Sequence, residues 1–217
     1  MKFAVIGATG LVGNAVVQEL AARGHEVTAF ARHVDKVFKA DNVKAVVADV
    51  NAPDFADKLK GFDGVVSAFN PGWTNPNLAE DFTKGANAIV EAAKTAQVAY
   101  LLVVGGAGSL YVATDLQLVD TPDFPADVYP GANAARELLN MLKPRRDVNW
   151  AFLSPAAMFA VAELDFNKTG KYREGKDDVL LDANGVLANI AVPDLAVAIA
   201  DDVEKKGHLF TRFTVAA

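Results

Sequence analysis

Gly7, Gly10 and Gly13 follow a short apolar run, Phe3 to Ile6, and precede a helical pattern from Leu11 to Leu20. Strand, glycine turn and helix in that order are the setting in which a dinucleotide's phosphates are held. Gly7 permits the tight turn. Gly10 lets backbone approach a pyrophosphate with no Cβ between them. Gly13 lets the helix sit close on the sheet. The helix N-terminus adds unpaired N–H groups and the positive end of its dipole. The alternative is a close-packed strand–helix turn with no ligand.

The end of the second strand, Ala29-Phe30-Ala31-Arg32-His33, bears on which dinucleotide. A site for NAD(H) places Asp or Glu here to accept from the ribose 2′-hydroxyl. This chain places Arg32, with His33 and Lys36 close behind, and Asp35 falls past the strand end. A guanidinium clamps a 2′-phosphate and stacks on adenine, so the sequence predicts NADPH in preference to NADH. A solvated loop charge is the other reading. After the third strand, Asp49 is placed to accept from an adenine amino group and Val50 to lie against the ring. Helix capping or solvation accounts for Asp49 equally simply. Ala68, Phe69 and Asn70 close the fourth strand, and Val104, Gly105 and Gly106 the fifth. Small residues there let backbone approach a ribose and a nicotinamide, while Phe69 also reads as core.

These residues need strands and helices in alternation to bring them to one edge. Strands are predicted at 25–30, 42–48, within 62–68, at 100–104, 149–153 and 210–215. Helices are predicted at 54–59, 78–97, 132–142 and 193–203. Leu78, Phe82, Ala86, Ile89, Ala93 and Ala96 share one face of the longest. Such alternation implies an α/β fold, a doubly wound parallel sheet of Rossmann type with helices on both faces. Right-handed crossovers then gather the loops along the carboxyl edge, where ligands bind. Residues 107–130 show no clear period and hold Pro122, Pro125 and Pro130, as a functional loop or lid does. From Phe159 to about residue 190 the pattern is irregular, with short strand-like pieces around Tyr172 and Leu180. Both stretches are read as substrate-side loops of one domain spanning 1–217.

Composition narrows the classes. Hydrophobic residues make up 52% of 217, enough for a full core. No run approaches the ~18 uninterrupted apolar residues of a membrane span, so no membrane partner is expected. There is no cysteine, which removes disulfides and thiolate chemistry and suits a cytoplasmic protein. His25, His33 and His208 are too scattered to form a metal cluster, so no metal is expected. A net charge of −6 argues against nucleic acid as a partner. The oligomeric state, monomer or homodimer, is left open.

Four stretches together resemble a known family: Gly7 to Gly13, Ala31-Arg32, Val103 to Leu110, and Asn149 to Ala156. They resemble the atypical short-chain dehydrogenase/reductases, in particular the NADH-flavin reductase branch. That branch is similar in turn to the biliverdin/flavin reductases and the NmrA-like proteins. Thr169 to Arg173 and Phe213 to Val215 look like the same branch, so the resemblance spans nearly the whole chain. It implies a Rossmann fold with NAD(P)H along the carboxyl edge. Thr9, Gly10, Leu11 and Val12 would touch the pyrophosphate, and Ser154, Pro155 and Ala156 would lie beside the nicotinamide. Ser109 would stand at the substrate end.

One departure is informative. Typical short-chain dehydrogenases use Tyr-x-x-x-Lys, the lysine making the tyrosine an acid or base. Here Tyr129 is followed four residues on by Asn133, and Arg136 comes seven on. Carbonyl–alcohol chemistry and sugar-nucleotide epimerisation are disfavoured. Hydride transfer to a flavin, quinone or similar planar acceptor needs positioning above all, with solvent supplying a proton. Ser109 and Tyr129 are the candidate catalytic residues, against a turn serine and a half-buried loop tyrosine. Trp73 and Tyr111 can stack on a planar acceptor or simply pack their loops. Trp150 reads as core, and His208 is given no role. A second hypothesis keeps the cofactor without turnover: an NADP-sensing regulator of the NmrA type.

Overall fold

The computed structural model describes residues 1–159 and 162–217. Residues 160 and 161, inside the irregular 159–190 stretch, lie outside the described residues. The chain alternates β1 (Lys2–Ile6), α1 (Leu11–Ala22), β2 (Glu26–Ala31), β3 (Val43–Val47), α2 (Phe55–Lys58), β4 (Gly64–Ser67), α3 (Leu78–Thr95) and β5 (Leu101–Val104). After β5 come a small hairpin, β6 (Tyr111–Ala113) and β7 (Leu116–Gln117), then α4 (Tyr129–Leu142) and β8 (Trp150–Pro155). The chain closes with β9 (Arg173–Gly175), α5 (Val192–Lys205) and β10 (Arg212–Ala216).

Eight strands form one sheet in the order β3-β2-β1-β4-β5-β8-β10-β9. All pairs are parallel except β9 with β10. Apolar runs such as Leu101–Val104 are what a parallel sheet covered on both faces requires. One face packs on α1 and α5 through Phe3, Val16, Leu20, Leu195, Ile199 and Phe213. The other packs on α2, α3 and α4 through Ile6, Phe82, Ile89, Leu138, Trp150 and Phe152. The sheet is thus a Rossmann-type parallel sheet with helices on both faces, as the strand–helix alternation predicts. Strand order reverses between β1 and β4, so the ligand crevice of such a sheet lies outside the carboxyl ends of those two strands.

Three expectations change in detail. Residues 107–130 are not structureless: 3₁₀ turns at Ala107–Ser109 and Leu118–Asp120 bracket the β6–β7 hairpin. The fourth helix, α4, starts at Tyr129, three residues before the predicted Ala132, because Pro130 is tolerated in a first turn, where its missing N–H costs nothing. The strand-like piece near Tyr172 begins one residue later, at Arg173. The piece near Leu180 is a single bridge, Leu181 with Leu187.

Candidate functional site

The carboxyl edge is assembled by short backbone contacts around Gly7. Its φ of +77° is one that L side chains rarely adopt, and a Cβ there would stand 2.4 Å from the Ala68 carbonyl oxygen. A Cβ on Gly13 would stand 2.2 Å from the Gly7 carbonyl oxygen. Both glycines are therefore required by the protein's own packing of α1 and β4 against the turn. Gly10 differs. Its φ is an ordinary −76°, it is exposed, and a Cβ would meet nothing nearer than 3.3 Å. That contact, with the Gly7 carbonyl oxygen, is tight but less severe than those at Gly7 and Gly13.

The approach to the helix end is open. No side chain caps α1, and no acidic residue occupies its first turn, so its leading N–H groups and positive dipole end are uncompensated. Leu11 stands 40% exposed beside them, while Thr9 and Val12 are half-buried. Arg32 and His33 follow β2, both exposed, and Arg32 has no ion pair among the described residues. Such a cation, an uncapped helix end and an exposed glycine beside it together fit a phosphate-bearing dinucleotide.

The other predicted cofactor residues divide. Asp49 Oδ1 accepts from the Asn51 backbone N–H at 2.9 Å, so one of its oxygens is used in closing a turn, with half-buried Val50 beside it. Asn70 does the same for Gly72 at 2.7 Å. Phe69 packs with Phe82, ring centroids 6.3 Å apart, and covers Gly85, where a Cβ would meet its ring at 2.3 Å; its ring is part of the core. Ala68, Val104, Gly105 and Gly106 are half-buried along the edge. Phe152 leans over Gly105, leaving no room for a Cβ there. Ser154, Pro155 and Ala156 are buried.

Beyond β5 the site is held by side chains. Ser109 is 2% exposed, and its hydroxyl lies 3.5 Å from Arg212. Arg212, itself 5% exposed, holds Asp177 at 2.5 and 2.8 Å. Tyr111 exchanges backbone hydrogen bonds with Asp177 and Val179, so the hairpin is stitched to the 176–179 strap. Ser154 and Thr214 are neighbours across β8 and β10, and their buried hydroxyls have no hydrogen-bond partner among the described residues. Arg136 reaches Asp120 at 2.7 Å and Asn133 at 2.5 Å, pinning the second 3₁₀ turn to α4. It is therefore committed away from Tyr129. Tyr129 is exposed and edge-on to Phe124, centroids 6.5 Å apart, beside a hollow of about 410 Å³. Trp73 covers Gly131 on the same helix.

Sequence reasoning missed Arg212, Asp177, Thr214 and Phe124. Arg212 and Ser109 are 103 residues apart, and no local spacing announces such a pair. His208, given no role, bonds Asp202 at 2.7 Å at the amino edge, away from this site.

A family model described as NAD(P)H-binding matches residues 7–203. The chain is 40% identical over 217 residues to YwnB of Bacillus subtilis strain 168, an uncharacterized protein, covering 99% of this chain and 98% of that one. Among solved structures, a Bacteroides thetaiotaomicron protein provisionally named an epimerase matches with a TM-score of 0.89. Its identity is 38%, over 99% of this chain and 96% of that one. A Streptococcus pneumoniae TIGR4 protein provisionally named an NADH-flavin reductase matches with a TM-score of 0.86 at 35% identity, over 100% of this chain and 99% of that one.

Proposed function

The chain belongs to the NAD(P)H-binding family of Rossmann-fold proteins, and from that premise we propose that it is an NADPH-dependent reductase of a flavin, quinone or similar planar acceptor. The observation that carries the reading is what the carboxyl edge contains and lacks. It offers a backbone cradle, a free Arg32 and an aromatic-walled hollow, but no acid–base couple: Asn133 stands where a lysine would serve Tyr129, and Arg136 is bound to Asp120. Epimerisation and carbonyl reduction need such a couple. Transfer to a planar acceptor does not.

When bound, NADPH supplies the hydride. Gly10 and the leading N–H groups of α1 would hold its pyrophosphate, and Arg32, with His33, its 2′-phosphate. Gly105 and Gly106 would admit its reactive end close to backbone, with Ser154 to Ala156 flooring that end. Ser109, whose hydroxyl lies 3.5 Å from Arg212, would stand near that end, and Phe124 and Tyr129 would offer ring faces against which an acceptor could be positioned.

The name of the pneumococcal relative favours the same reading. Mixing the purified protein with NADPH and a panel of quinones and flavins, and following the nicotinamide absorbance, tests it. Acceptor-dependent oxidation is expected, faster with NADPH than with NADH. Tight cofactor binding with no oxidation across the panel would overturn the reading and favour a sensor of the NmrA type.

A further inference from the structure

We propose that the hollow at the start of α4 takes its acceptor as an uncharged planar ring and discriminates against one that carries a phosphate. The inference deepens the reductase reading and rests on it for the hollow's purpose, but its test does not require turnover.

The hollow is lined by Val119, Asp120, Thr121, Phe124, Ala126 and Tyr129. Its volume of about 410 Å³ is in the range of small-molecule sites. It belongs to the same edge as the cradle. Gly108, four residues past β5, packs on Ala132 and Val119, and Tyr129 begins the turn of α4 just before Ala132. Phe124 and Tyr129 present two rings, and a planar ligand gains most by lying against such faces.

The charges around it that lack an ion-pair partner are acidic, once Arg136 is counted against Asp120. Between residues 107 and 130 the chain carries Asp115, Asp120, Asp123 and Asp127 and no Lys, Arg or His. Asp120 is neutralised by Arg136. Asp123 and Asp127 flank Phe124 and Tyr129, are exposed, and have no ion pair among the described residues. At the adenosine end cations are present, Arg32 and Lys36, with Asp35 between them. A phosphate carries roughly −1.5 to −2 charges near neutral pH. The basic end suits the cofactor's phosphate, and the acidic end repels a second one on the acceptor. A quinone, or an isoalloxazine without phosphate, avoids that repulsion.

Riboflavin and FMN share one ring system and differ in the phosphate, so they isolate the effect. The protein saturated with NADP⁺ is titrated with each flavin, and quenching of flavin fluorescence gives the two Kd values at low and high ionic strength. Riboflavin is expected to bind ~10-fold more tightly at low salt, with the ratio shrinking as screening shortens the reach of Asp123 and Asp127. The double variant Asp123→Asn/Asp127→Asn, changed only at exposed positions, is expected to bring the low-salt ratio towards one. FMN binding as tightly as riboflavin at low salt, a ratio indifferent to the double variant, or no binding of either flavin would each overturn the proposal. Selective riboflavin binding without NADPH oxidation would leave this inference standing and remove the reductase reading.

Discussion

The two edges of the sheet treat their polar groups in opposite ways. At the amino edge almost every one is bonded to another. Tyr100 donates to Asp202 Oδ2 at 2.7 Å, and His208 meets the other oxygen of that carboxylate while its ring lies on Phe213, centroids 3.8 Å apart. Burial and the neighbouring Asp202 push the Tyr100 hydroxyl far above its usual value, which keeps it a donor. Arg23 binds Glu19, Asp201 and Glu204, and His25 takes the second oxygen of Glu204. At the carboxyl edge around β1 and β2 the donors are left free: the start of α1, Arg32 and His33. The amino edge commits its polar groups to the fold, and the carboxyl edge around β1 and β2 leaves donors uncommitted among the described residues. Substitutions at the first should therefore change stability without affinity, and at the second affinity without stability.

The largest effect is expected from Asp202→Ala, which strips buried Tyr100 and half-buried His208 of their shared partner. A loss of about 3 kcal/mol in a denaturant titration is expected, with NADPH affinity of the folded protein unchanged. A matching loss of affinity in the folded protein would break the division between the edges. Next comes a pair of glycine substitutions. Gly10→Ala should weaken NADPH binding by about 10- to 100-fold while stability moves by about 1 kcal/mol, since the backbone there is ordinary and the Cβ would press on the Gly7 carbonyl oxygen only at 3.3 Å. Gly13→Ala should destabilise the fold, because its Cβ meets backbone. If Gly10→Ala instead destabilised the protein and bound NADPH normally, Gly10 would be a packing residue.

Arg32→Ala is expected to cost about tenfold in NADPH affinity, by isothermal titration, and to leave NADH binding and the melting temperature alone. Equal losses for both cofactors would assign Arg32 to the adenine ring instead of the 2′-phosphate.

The smallest effect concerns acid. Burial pushes Glu19 and Asp201 up, but the hydrogen bonds from Lys168 and Arg23 to Glu19, and from Arg23 and Tyr172 to Asp201, outweigh it and hold both below the usual carboxylate range. A carboxylate whose pKa is lower folded than unfolded stabilises the fold above its unfolded value. That stability is lost as pH falls through its folded value. Arg23→Ala should therefore unfold at a higher pH than the parent, with a loss near neutrality of about 1 kcal/mol for these partly exposed pairs. An unchanged acid midpoint, followed by circular dichroism, would show that the amino-edge network contributes nothing to acid resistance.

The parallel sheet, its helices and the cradle were legible in the residues because their causes are local. A buried strand needs an apolar run. A helix against a sheet needs apolar residues every three or four positions. A turn at φ +77° needs Gly7 whatever the rest of the chain does. Arg32 stands exposed after β2, as its place past an apolar run predicts. The far half of the site was not legible. Ser109 is fixed by Arg212, Asp120 by Arg136, and the hairpin by Tyr111 meeting Asp177. Ser109 and Arg212 meet only after the sheet has stacked β8 and β10 beside β5, and nothing in the spacing of the sequence encodes that meeting. The sequence by itself determined the backbone that receives a dinucleotide. Only the tertiary structure decided which side chains are already committed to each other, and so which are left free to act.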